Sequence, residues 1–411
     1  AQRQRDQAEG ELAVQRSGLT RIEIEELRRS TRGIQLVADK GSSATADGQS
    51  QLAATSNLTV EFDSLTAVST ASIKEITTQL GRQAAMLAFH VGDDSTVIFL
   101  LQDGKVSAWV RPIGRPELQR QVEAFRQLIQ KNPKSQGSEL AALQKAGQEL
   151  HRALLHDAVP TVNKPVLYVS PHGPLHYLPF AALHDGSQYF ADRFTLVTAP
   201  SGTVLTYLGK KPRTTKGATV VMANPDLGNS AYDLPFAEQE GDAVKSRRPG
   251  ATLLKRKEAQ EIKIRELGPQ ASVLHFATHG KFNAARPLDS ALLLAAGGGE
   301  DGTLTAGEIF GLGLPGNLVV LSACETGLGQ LATGDEILGL TRAFMYAGAP
   351  QLIATLWEID DQATSELMDH LYAHLGKESA PAALRAAQLK VRSRYPHPFY
   401  WAGFVSHGLY E

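Results

Sequence analysis

The feature that most constrains the fold is a regular alternation of two kinds of segment between residue 160 and the end of the chain. Short apolar runs rich in β-branched residues alternate with amphipathic helical segments such as PFAEQEGDAVKS, GDEILGLTRAFMYAG and ATSELMDHLYAHL. The apolar runs are PVLYVS, FTLVTA, ATVVMA, SVLHFAT, NLVVLSA and PQLIATLW. Such runs are typical of strands that are buried on both faces of a parallel sheet. The pattern therefore predicts an α/β domain over residues 160–411, with helices on both faces of a mostly parallel sheet.

A smaller region with a different pattern precedes this domain. Within residues 71–159, three apolar stretches are separated by the turn sequences GDD and QDG, which predicts a β-meander. Two helices are expected to follow, over about residues 115–131 and 138–157. We therefore expect a smaller α/β or α+β region before the main domain, either a pseudo-caspase-like domain or an accessory region.

Residues 1–70 combine a charged segment with a low-complexity segment. The first thirty residues contain six basic and six acidic side chains, and their leucines and isoleucine recur at roughly helical spacing. Residues 40–70 are rich in Ser, Thr, Ala and Gly, which is typical of flexible linkers. We expect an exposed charged helix followed by a linker.

Charge and cysteine content exclude several classes of protein. The 411 residues contain 41 Lys and Arg against 43 Asp and Glu, which argues against a protein that coats nucleic acid. Cys324 is the single cysteine, so an internal disulfide framework and a multi-thiolate zinc site are excluded. One thiol and no apolar run of about 18 residues suit the reducing cytoplasm, where we expect this protein. The chain begins at Ala1, which indicates a fragment or a processed form.

Two of the predicted strands end in side chains capable of acid–base and nucleophilic chemistry. SVLHFAT leads into His279-Gly280, and NLVVLSA leads into Cys324. Because the carboxyl ends of parallel strands lie at one edge of a sheet, we expect this imidazole and this thiol to lie close together. His279 would accept the thiol proton and later protonate the leaving amine. The backbone N–H groups of Gly280 and Cys324 would hold the developing oxyanion.

The spacing of these residues favours a catalytic interpretation over a structural one. A single cysteine that ends a buried strand is usually inert packing. In caspases, however, an Ala-Cys pair follows its histidine by about 50 residues. Here Ala323-Cys324 follows His279 by 45 residues, and both residues follow predicted strands.

A series of short motifs runs in a fixed order from about residue 160 to residue 410. They are HFATHGKFN, PLDSALLLA, DGTLTAGEI, LVVLSACETGLG, GDEILGLTRAFMYAGAP, LIATLWEIDDQAT and YWAGF, with LYVSPHGPLHYLPFAALHDG and NPDLGNSAYDLPFAEQE before them. Together they resemble CHAT domains, which are caspase-like peptidase domains often attached to tetratricopeptide repeats. The resemblance implies the caspase-hemoglobinase fold of caspases, gingipains and separases. It also implies a cysteine endopeptidase that needs neither a cofactor nor a metal.

The resemblance also assigns residues and partners. Its Thr-His-Gly motif places the general base at His279, and its Ser-Ala-Cys-Glu-Thr-Gly motif places the nucleophile at Cys324. It implies a protein substrate and an activating tetratricopeptide or other sensor region on the N-terminal side, with residues 1–70 at the junction. We expect no direct contact with nucleic acid or membrane.

A third group of candidate residues follows PQLIATLW, where the acids Glu358, Asp360 and Asp361 are candidates for substrate binding. LWEIDD resembles the separase segment in which the last acid of the motif receives an arginine, and that acid corresponds to Asp361. Because a carboxylate can hold a guanidinium bidentately, we expect a basic residue, preferably Arg, before the scissile bond. Asp361 also lies where an N-cap would begin the next helix, and the two roles are compatible.

Other interpretations of the sequence stay open at this point. The chain could be a non-catalytic interaction or signalling module with a caspase-like fold, or it could use its cysteine for acyl transfer or redox chemistry. His275 lies four residues before the expected base, and we interpret it as a core or supporting residue. His172 and His176 follow another strand, where packing is the default interpretation and a substrate groove the alternative.

Overall fold

A computed structural model describes the chain over residues 70–131, 137–211, 217–281, 283, 286–322, 324–325, 336–357 and 359–410. At positions 287, 324–325, 336–338 and 361 it describes the backbone alone. The charged helix and the linker expected within residues 1–70 therefore lie outside the described residues, apart from residue 70.

The strands are short, and most of them coincide with the apolar runs of the sequence. In chain order they are β1 (Ala84–Val91), β2 (Thr96–Gln102), β3 (Lys105–Arg111), β4 (Val166–Ser170), β5 (Thr195–Thr198), β6 (Ala218–Pro225), β7 (Thr252–Arg256), β8 (Ala271–Ala277), β9 (His279–Lys281), β10 (Ala291–Leu293), β11 (Thr303–Thr305), β12 (Leu318–Leu321), β13 (Cys324–Glu325), β14 (Gln351–Thr355) and β15 (Phe404–Gly408).

The α-helices connect these strands. In chain order they are α1 (Ile73–Leu80), α2 (Arg115–Gln130), α3 (Ser138–Leu155), α4 (Phe190–Arg193), α5 (Gly202–Lys210), α6 (Pro235–Arg247), α7 (Glu261–Leu267), α8 (Ala306–Ile309), α9 (Glu336–Tyr346), α10 (Asp361–His374) and α11 (Ala380–Arg394). The two helices expected after the meander are α2 and α3. A proline in the first turn starts α2, and Leu118, Val122 and Phe125 recur at helical spacing and are buried.

Within the described part of the chain, one sheet of eleven strands has the order β3-β2-β1-β4-β5-β15-β14-β12-β8-β6-β7. Only the pairs β2–β3, β1–β2 and β14–β15 are antiparallel, so the sheet is mostly parallel, as predicted. The antiparallel step at β14–β15 divides the sheet into two parallel halves that run in opposite directions. Consequently the carboxyl ends of β8, β12 and β14 lie at one edge, and those of β4 and β5 lie at the opposite edge.

Alternate residues of each central strand enter separate cores on the two faces of this sheet. Val221 and Ala223 pack in the core that α2, α3, α10 and α11 cover, whereas Val220 and Met222 pack in the core that α5, α7, α8 and α9 cover. Strands buried on both faces need apolar residues at every position, which explains the continuous apolar runs. The predicted α/β class with helices on both faces is confirmed.

The meander joins the same sheet as the main domain. β1 pairs in parallel with β4, with Ala84 opposite Val166, so hydrogen bonding crosses the expected boundary at residue 159. The division of the chain at that point stays a prediction. No helix in the described ranges has the length and apolar character needed to cross a membrane.

Candidate active site

Two short strands carry the predicted dyad beyond the edge of the large sheet. β8 and β12 are parallel neighbours, with Phe276 opposite Leu321. β9 and β13 follow them directly and belong to a second sheet of the described chain, with the order β11-β10-β9-β13. In this sheet the backbone of Cys324 is paired with that of His279. Because paired strands lie about 4.8 Å apart, the fold brings together two residues that are 45 positions apart in sequence.

The hydrogen bond made by the His279 ring determines which nitrogen can act as a base. Nε2 lies 2.9 Å from the backbone carbonyl oxygen of Tyr232, and only a protonated ring nitrogen can donate to a carbonyl. In the neutral imidazole, Nδ1 is therefore the unprotonated nitrogen. Nδ1 is buried and has no hydrogen-bond partner among the described residues. The ring thus keeps one lone pair available for an incoming proton.

The loop between β6 and α6 holds the carbonyl that orients this ring. Tyr232 ends a short 3-10 turn, and its own ring meets that of His279 edge-on, with the centroids 5.9 Å apart. Asn224, near the end of β6, connects the two ends of the loop, because its Oδ1 accepts from Leu234 N at 2.7 Å and its Nδ2 donates to Glu238 in α6 at 2.8 Å. Sequence reasoning missed Tyr232, since a backbone carbonyl has no residue signature. The only signal was its place within NPDLGNSAYDLPFAEQE.

A chain of polar side chains connects α10, β8 and α6 with Ser322, two residues before Cys324. His275 on β8 is fully buried, and its Nδ1 lies 3.0 Å from the Tyr372 hydroxyl. Its Nε2 lies 3.0 Å from Oε1 of Glu240, and Oε2 of Glu240 accepts from Ser322 Oγ at 3.0 Å. Burial, followed by the Glu240 charge, raises the pKa of Tyr372, so its hydroxyl stays protonated and can donate to His275. His275 is a supporting core residue, as the sequence suggested.

The structure describes only some of the other predicted site residues. Gly280 lies in β9, where its backbone is paired with Leu292 and Glu325, and its oxyanion role with the Cys324 N–H stays a prediction. Glu358 and the side chain of Asp361 lie outside the described residues.

The N-cap of α10 is Asp360, one residue earlier than expected. Asp361 is the first residue of the helix, and the side chain of Asp360 accepts from Ala363 N at 3.2 Å. The expected N-cap at Asp361 was therefore wrong. A carboxylate at the preceding position satisfies the free N–H groups of the first turn.

His172 and His176 follow β4, which belongs to the other parallel half of the sheet from the strands that precede the dyad. His172 follows the carboxyl end of β4, at the sheet edge opposite to that of β8 and β12. Its Nδ1 accepts from Val91 N at 2.9 Å, and its ring stacks on that of His90. Burial lowers the pKa of His176 to about 3. These contacts fit packing roles.

One group of carboxylates within the described chain has spacing that could suit a metal ion. Glu261, Glu300 and Glu308 have oxygens within 4.8 Å of one another. Arg265 lies within 2.9–3.3 Å of an oxygen of each, so a guanidinium already pairs with all three carboxylates. We assign no metal role to it.

Comparison with known protein families shows which proteins this chain is similar to. The model of the CHAT domain family matches residues 144–409, a range that includes His279 and Cys324. The chain is similar to tetratricopeptide repeat protein 28, with 29% identity over 304 residues to the human protein and 28% over 309 residues to the mouse protein. Each alignment covers 61% of this chain but only 12% of the relative, so the chain spans about an eighth of those proteins.

Two solved structures of the Saccharomyces cerevisiae separase–securin complex have a similar fold. Their TM-scores are 0.56 and 0.54, with sequence identities of 10% and 11%. Each match covers 85% of this chain and 31% of the separase-complex chain. At these identities the likeness concerns the fold alone, namely a large, mostly parallel sheet with helices on both faces.

Proposed function

Since this chain belongs to the CHAT domain family, we propose that it is a cysteine endopeptidase that cleaves selected protein partners through a thioester on Cys324. His279 acts as general base and then as general acid. One observation carries the proposal: an imidazole whose Nε2 is fixed by the Tyr232 carbonyl keeps its Nδ1 unpartnered, and its backbone is paired with that of Cys324. Other buried histidines of the described chain, such as His407, also have an unpartnered ring nitrogen, so the backbone pairing with Cys324 is the feature that distinguishes His279.

The proposed reaction has two stages. First, the Cys324 thiol gives its proton to Nδ1 of His279, and the thiolate attacks the scissile carbonyl carbon. The C–N bond then breaks, and Nδ1–H protonates the leaving amine, which leaves an acyl thioester. In the second stage, water gives a proton to Nδ1 and its oxygen attacks the thioester carbonyl carbon. The C–S bond then breaks, Nδ1–H returns the proton to the Cys324 sulfur, and the acid product leaves. The Tyr232 carbonyl stabilises the imidazolium through Nε2–H in both stages.

Regulation by a partner is the second part of the proposal. The matched relatives are named for tetratricopeptide repeats, and the chain spans 12% of their length. We propose that a sensor region acts through residues 1–70 to switch on a latent cytoplasmic peptidase. Deletion of residues 1–70 is then expected to change basal turnover or the response to an activator. Unchanged values for both would contradict this part alone.

The test of the peptidase proposal uses covalent labelling. Because Cys324 is the only cysteine, a peptidyl acyloxymethyl ketone can form a thioether at one position, and intact-mass measurement counts it. We expect single labelling of the wild type, none of Cys324→Ala, and labelling slowed by at least about a hundredfold in His279→Ala. A wild type that neither reacts with a panel of such probes nor cleaves a peptide library would overturn the proposal and favour the non-catalytic interaction module.

A further inference from the structure

One edge of the large sheet lacks the features that usually protect sheet edges. Within the described part of the chain β3 is an end strand, and its seven residues pair with β2 alone in one continuous register. Between Lys105 and Arg111 at its ends, the strand has neither a charged residue nor a proline. Soluble monomers usually protect edge strands with charge, proline or a bulge. At the other end of the sheet, β7 carries Lys255 and Arg256 and has an irregular register with β6, so the two edges differ.

The turn before β3 determines which of its backbone groups face the free edge. β2 and β3 are joined by Asp103-Gly104, and both residues have a positive φ, 51° and 75°. Two residues with positive φ form a type I′ turn, in which the flanking pair, here Gln102 and Lys105, is hydrogen bonded. Hydrogen-bonded and non-hydrogen-bonded pairs then alternate along β3. The residues whose N–H and C=O groups point away from β2 are therefore Val106, Ala108 and Val110.

Apolar side chains are exposed along the same edge. Val106 is 48% and Val110 is 67% exposed, and Phe99, which pairs with Ala108, is 39% exposed. These side chains lie on one face of the sheet, because alternate residues of a strand share a face and cross-strand partners do so too. A strand added to β3 would satisfy the free backbone groups and cover part of this apolar surface.

We propose that β3 pairs with β3 of a second copy of this chain, antiparallel and about a two-fold axis at Ala108. The inference does not depend on the proposed peptidase function. In this register Ala108 lies opposite its own counterpart, and Val106 lies opposite Val110 of the second copy. Because the same three residues carry the free groups in both copies, every outward N–H meets an outward C=O. The residue at the axis is small and uncharged, so no side chain keeps the two strands apart.

The charges at the ends of β3 favour a second copy as the partner. On the other face of the sheet, Lys105 lies opposite Arg111 of the second copy. Arg111 is already paired with Asp157 at 2.6 Å, and the Asp157 side chain is 45% exposed. Its carboxylate can therefore also accept a hydrogen bond from Lys105 of the second copy. Each copy supplies both the ammonium and the carboxylate, as a two-fold interface requires.

The first test measures the mass of the full chain by sedimentation equilibrium. A single strand pair forms a small interface, so we expect the weight-average mass to rise from one chain toward two between about 1 and 200 µM. The two-fold pairing occupies the β3 edge of both copies, so the assembly stops at a dimer. A mass that stays at one chain would overturn the proposal and leave the edge to a strand of a different protein. A mass that rises past two chains would overturn the two-fold arrangement.

The second test removes a backbone donor at the axis. Ala108→Pro loses the outward N–H but no hydrogen bond to β2, because residue 108 belongs to a non-hydrogen-bonded pair. We expect the Kd for dimerisation to rise at least about tenfold, since two interface hydrogen bonds are lost. Ala108→Val is the matched control, because it keeps the N–H and suits a strand, and its Kd is expected to match that of the wild type. Equal Kd values for the two folded variants would overturn the proposal.

A surface substitution decides the question if Ala108→Pro fails to fold. Val110→Lys places a charge in the proposed interface at a side chain that is already exposed, so circular dichroism is expected to show a folded protein. We expect the same rise in Kd of at least about tenfold. Phe236→Lys is the control, because this residue is 45% exposed on α6, which packs on β6 and β7 at the other end of the sheet. Equal Kd values for these two variants would contradict the proposed interface.

A third test reports the register. In the Cys324→Ala background, Ala108→Cys is expected to form a disulfide-linked dimer with oxidised glutathione, because the Cα atoms of a hydrogen-bonded antiparallel pair lie about 5.5 Å apart. Val106→Cys is the control, since the two copies of residue 106 would be about 13 Å apart along the strands, too far for a disulfide. Cross-linking of Ala108→Cys that is no faster than that of Val106→Cys would overturn the register centred on Ala108.

Discussion

Cys324 and His279 are cross-strand partners in the parallel pair β13–β9. Each of these short strands directly follows a buried strand of the large sheet, so the dyad lies on extensions of β12 and β8. Parallel strands with a fixed register are more rigid than loops, and catalysis needs the two groups held within hydrogen-bond reach. The pairing explains how residues from two distant motifs meet without any local sequence contact.

Replacing Cys324 by alanine is expected to abolish peptide cleavage and to change the melting temperature by no more than about 2 °C. The substitution removes the proposed nucleophile and only one heavy atom, so the energetic effect on folding is small. Turnover of a cleaved peptide and a thermal melt measured on the same preparation check both parts. Cleavage near the wild-type rate in the purified variant would contradict the role of Cys324.

Asn224 is expected to control the orientation of His279 through the loop that contains Tyr232. Asn224→Ala removes the two hydrogen bonds that the Asn224 side chain makes to Leu234 and Glu238 and places alanine at a positive φ of 45°. We expect a loss of about 1–3 kcal/mol of unfolding free energy and slower labelling of Cys324 at neutral pH. Asn224→Gly is the matched control, because glycine accepts the backbone angle but lacks the amide. Labelling in Asn224→Gly at the wild-type rate would show that the amide has no positioning role.

Tyr372→Phe is expected to lower the free energy of unfolding by about 1–3 kcal/mol. The change leaves Nδ1 of the fully buried His275 without its hydroxyl partner, and a buried unsatisfied group is costly. Tyr395→Phe is the control, because that hydroxyl bonds Glu366 near the surface and its loss is expected to cost under about 0.5 kcal/mol. Equal urea midpoints for the two variants would contradict the structural importance of the buried polar chain.

His407 is expected to make folding stability depend on pH between about 7 and 5. Burial lowers the pKa of His407 from 6.5 to about 4, and its Nε2 has no hydrogen-bond partner within the described residues. Below pH 6.5 this imidazole is protonated in the unfolded chain but stays neutral in the folded chain. The free energy of unfolding that is present above pH 6.5 is therefore lost progressively as the pH falls toward 4. The loss from this one group between about pH 7 and pH 5 is roughly 2 kcal/mol.

The measurement compares urea unfolding of the wild type and His407→Leu at both pH values. Carboxylates stay largely ionised in this range, so the comparison isolates histidine titration. We expect the variant to be less sensitive to acid than the wild type by the amount given above. An equal free-energy difference between the two proteins at both pH values would contradict the assignment.

Local sequence pattern predicted most of the secondary structure because the two-sided burial of parallel strands leaves a continuous apolar run. SVLHFAT and NLVVLSA became β8 and β12 for this reason, and the spacing of Leu118, Val122 and Phe125 predicted α2. The N-cap of α10 was misplaced by one residue. Asp360 and Asp361 are chemically identical, and only the backbone angle at the helix start distinguishes the capping position.

The sequence by itself determined the sheet class, the family and the identity of the two proposed reactive side chains, because these depend on residue type and order along the chain. Tertiary structure alone decided that the sheet reverses direction at β14–β15, that the Tyr232 carbonyl orients His279, and that Glu240 accepts a hydrogen bond from Ser322. A carbonyl is common to every residue, and Glu240 reads as an ordinary polar position on an amphipathic helix. Their roles arise only when packing brings segments distant in sequence within hydrogen-bond distance and removes them from water.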